Sequence, residues 1–129
     1  MANKLADWLE ALTDPDDATR EEAAQALVNL ANPAATDALI EALEDDFWSV
    51  RMYAAHALAK IGGPKAIEAL IPMLGDTIKE CRDGAVDDYA TIGAPAVERL
   101  VAALRDERWR VRESAAKALG VIKDARSVD

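Results

Sequence analysis

The sequence predicts an all-α fold, a right-handed α-solenoid (α-α superhelix) of four helix pairs. Three observations support it: a repeat of about 31 residues, apolar stripes with helical period, and proline and glycine at the predicted helix ends. The clearest repeat column, spaced by 31, 31 and 30 residues, is Arg20, Arg51, Arg82 and Arg112. Since one helix pair cannot bury its apolar face alone, stacked neighbours must bury it jointly.

The four units run over about residues 3–31, 33–62, 64–93 and 95–124 of a single domain, residues 1–129. In unit two, the stripe of the first helix is Thr36, Leu39, Ile40 and Leu43; in unit three it is Ile67, Leu70, Ile71 and Leu74. This spacing lines one helical face. Prolines predict the starts of first helices, and Gly62-Gly63 and Gly93 predict the ends of second helices.

Small and apolar columns predict the packing between helices. Paired alanines recur in the second helices, and Trp8 falls in the column of Leu39, Leu70 and Leu100, so we expect it in the core. Cys81 shares a core-facing column with valine and is expected to be buried.

The Arg column and a matching aspartate column also carry predictions. The aspartates, which we expect to cap the second helices, are Asp14, Asp45, Asp76 and Asp106. Phosphate binding is one interpretation of the arginines, but their regularity favours Arg–Asp contacts between neighbouring units.

Composition restricts the function. The chain of 129 residues has 15 Lys and Arg against 24 Asp and Glu, a net charge of −9, which argues against nucleic-acid binding. No apolar run is long enough for a membrane span, and the single cysteine fits a cytoplasmic location. One histidine, and no Gly-rich phosphate loop or Ser-His-Asp set, predict neither a catalytic nor a metal site.

At the second helices the sequence resembles a known family. The segment Val50-Arg51-Met52-Tyr53-Ala54-Ala55-His56-Ala57-Leu58-Ala59-Lys60-Ile61-Gly62 is similar to a HEAT-like repeat of the phycobilisome (bilin) lyase type, and the segment from Val111 to Gly120 matches as well. This resemblance implies a HEAT-like solenoid with a concave face formed by second helices. It also implies, as an alternative function, a bilin lyase component or bilin-binding chaperone, with bilin as its ligand. Such a subunit is the one enzymatic alternative.

Unit three departs most from the repeat pattern. Asp88 replaces a packing alanine, Tyr89 replaces leucine, and Gly84 lies in the middle of a helix, which costs about 1 kcal/mol relative to alanine. Local rules that fail together often mark function. We therefore predict a notch formed by Gly84, Asp87, Asp88 and Tyr89 that receives a ligand or partner side chain. The competing interpretation is drift, with Asp88 partnered by Tyr89, an Arg or water.

Further candidate binding residues lie at the edge and on the face of the second helices. Trp48 and Trp109 share a position at the start of second helices, where they are either interface anchors or covers for the gap between helices. Tyr53 and His56 lie on the open face, which is acidic in units one and three; a solvent-facing His56 is the simplest interpretation.

These observations favour a non-catalytic protein–protein interaction scaffold. We expect its concave face to hold another protein, for example through a basic or amphipathic segment, without a cofactor. Because apolar residues of the last helix lack a covering neighbour, we also expect possible self-association through the C-terminal repeat.

Overall fold

The computed structural model describes residues 4–126 and is built from α-helices. These are α1 (Lys4–Ala11), α2 (Asp17–Leu30), α3 (Thr36–Ala42), α4 (Trp48–Ile61), α5 (Gly63–Ala69), α6 (Lys79–Ile92), α7 (Val97–Ala103) and α8 (Trp109–Arg126). Three short 3₁₀ helices cover Pro33–Ala35, Ile71–Gly75 and Ala94–Ala96, and residues 4–126 contain no strand. The all-α solenoid prediction is confirmed. Residues 1–3 and 127–129 of the predicted domain lie outside the described part.

The helices form two layers. The second helices α2, α4, α6 and α8 pack on one another in chain order, and the first helices pack against them from one side. Alanine makes these close contacts possible, because its side chain adds little to the helix radius. Buried alanines recur at matching positions in successive second helices: Ala23, Ala24, Ala54, Ala55, Ala57, Ala115 and Ala118.

Helix ends follow the glycine pattern, with one exception. Gly62 and Gly93 end α4 and α6 with φ angles of 74° and 75°, which glycine adopts without a Cβ penalty. In repeat one the matching residue is Ala31, which ends α2 at φ 44° and ψ 42°. The left-handed conformation costs a non-glycine residue about 1–2 kcal/mol. Ala31 therefore holds strain that its counterparts avoid.

Repeat three has an altered first helix. Its α-helix stops at Ala69 and continues as the 3₁₀ helix Ile71–Gly75, which contains Pro72. Proline has no N–H and its ring clashes with the carbonyl four residues earlier, so the α-helix cannot continue through it. The predicted stripe of Ile67, Leu70, Ile71 and Leu74 is nevertheless buried.

The aspartate column does not cap the second helices, so that prediction is wrong. Each carboxylate instead accepts a hydrogen bond from the backbone N–H two residues later, at 2.9 Å, and so forms the turn before the helix. Helix α2 is capped by Asp16, which accepts from the N–H of Thr19.

The predicted Arg–Asp contacts exist at two of the three repeat junctions. Arg20 forms a two-pronged ion pair with Asp45, and Arg51 forms the same pair with Asp76, with N–O distances of 2.8–3.1 Å. At the third junction Asp106 pairs with Arg108 of its own turn instead of with an arginine of repeat three.

Two core predictions have different outcomes. Cys81 is buried, as expected, and its thiol donates to the carbonyl oxygen of Trp48 at 3.4 Å. Trp8 is only half-buried, because it lies in the first repeat and no earlier repeat among residues 4–126 covers it. Trp8 thus packs against the core, as expected, but at its margin.

Candidate functional site

The structure divides the predicted site residues between the core, the face and one edge of the second-helix layer. Asp88 and Tyr89 are buried, and Gly84 is half-buried. Tyr53 and His56 are half-buried on α4, and Asp87 is exposed on α6. Trp48 and Trp109 are the first residues of α4 and α8. Of the four residues predicted to form a notch, only Gly84 and Asp87 reach the surface, whereas Asp88 and Tyr89 are buried.

Asp88 forms an ion pair with a residue of the preceding repeat. Its Oδ1 lies 2.6 Å from Nδ1 of His56, and the side chains are 7% and 31% exposed. Oδ2 of Asp88 is buried and has no hydrogen-bond partner within the described residues. The sequence had suggested Tyr89, an arginine or water as the partner of Asp88, and a solvent-facing His56. Neither Tyr89 nor an arginine pairs with Asp88 among the described residues, and His56 is half-buried against this carboxylate.

Gly84 provides the space that the histidine ring occupies. A Cβ at this position would lie 3.2 Å from Cε1 of His56 and 3.7 Å from Cγ of Met52. A side chain at this position would force the ring to shift by a few tenths of an ångström. The departures at Gly84 and Asp88 therefore belong, together with His56, to one contact between repeats two and three.

The protonation behaviour of the pair follows from its burial. The hydrogen bond to Asp88 raises the pKa of His56 above its usual 6.5, and the negative charge of Asp87 acts in the same direction. Loss of solvent raises the pKa of Asp88, although the histidine partly opposes this effect. Both shifts favour keeping a proton in the pair.

Tyr89 is a core residue, so the prediction that it lines a binding notch is wrong. Its ring has no exposed surface, and its hydroxyl donates to the carbonyl oxygen of Ile67 at 2.7 Å. This carbonyl lies in the last turn of α5, where helical carbonyls lack partners within the helix. Burial raises the pKa of Tyr89. The larger side chain replaces leucine because it both fills the core and binds this carbonyl.

The two tryptophans at the edge are accessible. Trp48 is 36% exposed and Trp109 is 57% exposed. The guanidinium of Arg110 lies 4.9 Å from the ring centroid of Trp109, which is within the range of a cation–π contact. Exposure agrees with the interface-anchor interpretation, while their binding role stays a prediction.

The face of the second-helix layer has acidic and apolar parts. On α4, Tyr53 packs edge-on against His56 with ring centroids 6.3 Å apart. Exposed carboxylates lie on the neighbouring helices, Glu22 on α2 and both Asp83 and Asp87 on α6. Asp83 pairs with Lys79 at 2.8 Å, whereas Glu22 and Asp87 have no ion-pair partner in the described part.

No group of three or more potential metal ligands occurs among residues 4–126. Burial raises the pKa of the Cys81 thiol to about 11, so it is a poor nucleophile at neutral pH. No helix in the described range is both long and apolar enough to span a membrane.

The His56–Asp88 pair was not predicted from the sequence. A signal for it exists: Asp88, a carboxylate at a packing position, follows the only histidine of the sequence by 32 residues, one repeat plus one residue. Residues of successive second helices at about this separation lie side by side. Two polar residues at this separation on successive second helices are therefore candidates for a direct contact.

Comparison with solved structures identifies engineered proteins as similar folds. One crystal structure of an engineered protein has a TM-score of 0.62 and 28% identity, over 94% of this chain and 63% of that one. A second has a TM-score of 0.59 and 27% identity, over 98% and 71%. A third has a TM-score of 0.59 and 30% identity, over 94% and 38%. This chain thus spans less than two thirds of the first of these proteins.

Family models match most of the chain. A model described as HEAT repeats matches residues 5–87, and a model described as HEAT repeat matches residues 96–124. No curated protein matches the sequence. The matching models describe HEAT repeats in general and do not extend to the phycobilisome lyase type. The chain therefore belongs to the HEAT repeat family.

Proposed function

We propose that this chain is a non-catalytic scaffold that binds a basic, amphipathic helical segment of another protein on its second-helix layer. The observation that carries the proposal is the combination of half-buried Met52 and Tyr53 on α4 with exposed carboxylates on both neighbouring helices. An apolar strip between acidic borders is complementary to a helix with one apolar and one cationic face.

Charge supports this choice of partner. The chain carries a net charge of −9, and Glu22 and Asp87 face solvent without a cationic partner in the described residues. Attraction of a cationic segment would bring it to the face quickly and align it across the helices. Nucleic acid, which is itself a polyanion, does not suit this face.

The edge tryptophans extend the surface. Trp48 and Trp109 lie two repeats apart at the same end of the second helices, or about 20 Å for a helix spacing of 8–10 Å. A bound helix of four turns is about 20 Å long and can reach both rings. Tryptophan at an interface supplies large contact area with little loss of conformational freedom.

The test is calorimetric titration with an 18-residue peptide of Lys and Leu, patterned to form an amphipathic helix. We expect binding that weakens as salt rises, since exposed charges are screened. In the variant Glu22→Lys/Asp87→Lys, the affinity should fall at least about 10-fold, because two attractive contacts become repulsive.

A matched control separates local from general charge effects. The variant Glu10→Lys/Glu41→Lys makes the same change in net charge at exposed positions of the first helices α1 and α3. Its affinity should stay within about twofold of wild type. Equal losses in both double variants, or no measurable binding to wild type, would contradict the proposal.

A bilin-binding role is the second candidate, implied by the family resemblance. The exposed Trp48, Trp109 and Asp87 could contact a tetrapyrrole, whereas the buried Asp88 and Tyr89 are not available for it. Addition of free bilin to the protein tests this candidate. A strengthened, shifted visible absorption band supports it, and an unchanged spectrum opposes it.

A further inference from the structure

The last repeat exposes residues that the other repeats bury between themselves. Val101 of α7 is 51% exposed, whereas Ile71 at the matching position of repeat three is 2% exposed. Ala116 of α8 is exposed, whereas its counterparts Ala24 and Ala55 are buried against the following helix. The far side of repeat four therefore has the composition of an inter-repeat contact, and nothing in residues 4–126 covers it.

The first repeat exposes the complementary side. Ala26 belongs to the column of Asp88, which contacts the preceding repeat, and Ala26 is half-buried while Ala57 and Ala118 are fully buried. Trp8 is likewise only half-buried and borders an open groove of about 330 Å³. This face, too, is an inter-repeat contact that lacks its neighbour in the described residues.

Each end carries half of the ion pair that joins repeats. Nη1 of Arg112 donates to the carbonyl oxygens of Asp106 and Glu107, as Nη1 of Arg51 does to the matching carbonyls of its own repeat. Unlike Arg51, Arg112 has no carboxylate partner in the described part. Asp14 accepts the turn N–H at 2.9 Å, as Asp45 does, but no arginine reaches it there. The two halves are the donor and the acceptor of the same contact.

The charges of the two end repeats are opposite. Residues 3–31 contain seven acidic and two basic side chains, whereas residues 95–124 contain five acidic and seven basic ones. A cationic end and an anionic end attract each other, while two identical ends would repel.

From these matches we infer that the chain associates with a second copy of itself head to tail, with the far side of repeat four on the near side of repeat one. Arg112 of one copy binds Asp14 of the next, and the helix layers continue across the junction. A head-to-tail contact uses different surfaces on its two partners, so it extends to longer assemblies unless the rotation closes a ring. The binding face of the second helices stays free and becomes longer.

Sedimentation velocity between about 10 µM and 1 mM tests this inference, since that range covers the affinities of weak self-association. We expect the weight-average mass of the wild type to rise at least about 1.5-fold over this range, and less so at high salt. A wild-type mass that stays at the monomer value throughout would overturn the inference.

Charge exchange identifies the contact. The variants Arg112→Asp and Asp14→Arg should each stay monomeric, because each places like charges at the junction. An equimolar mixture of the two should associate again, because each junction in the mixture can pair an arginine with an aspartate. Failure of the mixture to recover, while the wild type associates, would overturn the head-to-tail arrangement.

Two further variants serve as a control for net charge and as an independent test of the interface. Lys60→Asp makes the same change in net charge as Arg112→Asp, at an exposed position away from both ends, and should associate like wild type. Ala116→Glu puts a charged side chain on the exposed face of repeat four without touching the turn, and it should fold normally by circular dichroism yet stay monomeric. Undiminished association of Ala116→Glu would refute the assigned face.

Discussion

Removal of His56 should destabilise the protein much more than removal of its partner Asp88. We choose His56→Gln because glutamine occupies the matching position in repeat one, Gln25. In this variant the Asp88 carboxylate stays buried without its cation. Loss of one partner from a buried pair costs about 3–5 kcal/mol. Because the histidine side chain is 31% exposed, water can enter its place, and we expect about 3 kcal/mol.

Asp88→Ala should behave differently. Alanine occupies the matching position in the other three repeats, and the histidine left behind can turn to solvent. We expect Asp88→Ala to lie within about 1 kcal/mol of wild type, since exchange of a buried pair for apolar packing is often neutral or stabilising. The double variant His56→Gln/Asp88→Ala should recover most of the loss caused by His56→Gln.

Urea unfolding at pH 7, followed by circular dichroism, measures these free energies. The double-mutant cycle should give a coupling of about 2 kcal/mol between the two side chains. If His56→Gln costs less than about 0.5 kcal/mol and the two changes are additive, the pair contributes nothing to stability and our reasoning is refuted.

The same pair predicts a dependence on pH. The folded state raises the pKa of His56 above 6.5, so it binds the proton more tightly than the unfolded chain does. This contribution is complete below about pH 6.5 and is lost as the pH rises through the folded pKa. Burial also raises the pKa of Asp88 above its ordinary 3.8, and this shift likewise makes the protein less stable as the pH rises. Wild-type stability should therefore fall relative to the double variant as the pH rises above 6.5.

Three further predictions concern other features. Ala31→Gly should raise the free energy of unfolding in urea by up to about 1 kcal/mol, since it relieves left-handed strain. Ala102→Gly, at an exposed position of α7, should instead lower it by about 1 kcal/mol. A change of the same sign in both variants would contradict the explanation. Arg51→Lys should lower the free energy of unfolding by about 1–2 kcal/mol, because lysine cannot form the two-pronged pair with Asp76. Arg112→Lys, measured on dilute monomer, should lower it by less than about 0.5 kcal/mol, because Arg112 has no carboxylate partner among the described residues. Cys81 should react with a thiol reagent at pH 8 only at the rate of unfolding; rapid labelling of the folded protein would contradict its burial.

The sequence predicts the regular part of this molecule because repetition supplies several samples of each position. Columns of alanine, leucine and glycine identify the helices and their packing before any coordinates are known. Ala31 and Pro72 show the limit of this approach. Ala31 keeps the positive φ of a glycine position, and Pro72 alters a helix whose apolar stripe stays buried. Alignment of the repeats shows that these residues depart from the pattern. It does not show the backbone conformation that follows, because that depends on the residues packed around them.

The candidate site was harder to predict for the same reason. In the sequence, Gly84 and Asp88 look like isolated irregularities and His56 like an ordinary surface residue. Only the contact between two repeats shows that the three belong together. Tyr89 looks like a ligand-facing aromatic until its hydroxyl is seen to bind a carbonyl of α5. Side-chain direction across a repeat boundary is tertiary information that helical periodicity does not contain.

The third junction has no Arg–Asp pair among the described residues, and this has a consequence for the order in which the protein opens. Asp106 is occupied by Arg108, and an ion pair of Arg99 with Glu68, at 2.8 and 3.0 Å, joins repeats three and four instead, with its carboxylate side chain 66% exposed. Such an exposed pair stabilises a junction less than the half-buried Arg–Asp pairs do. In a linear array each module is stabilised by its neighbours alone, and the weakest junction separates first. Backbone amides of α7 and α8 should then exchange with deuterium sooner than those of α4, through a partly opened form in which three repeats remain intact.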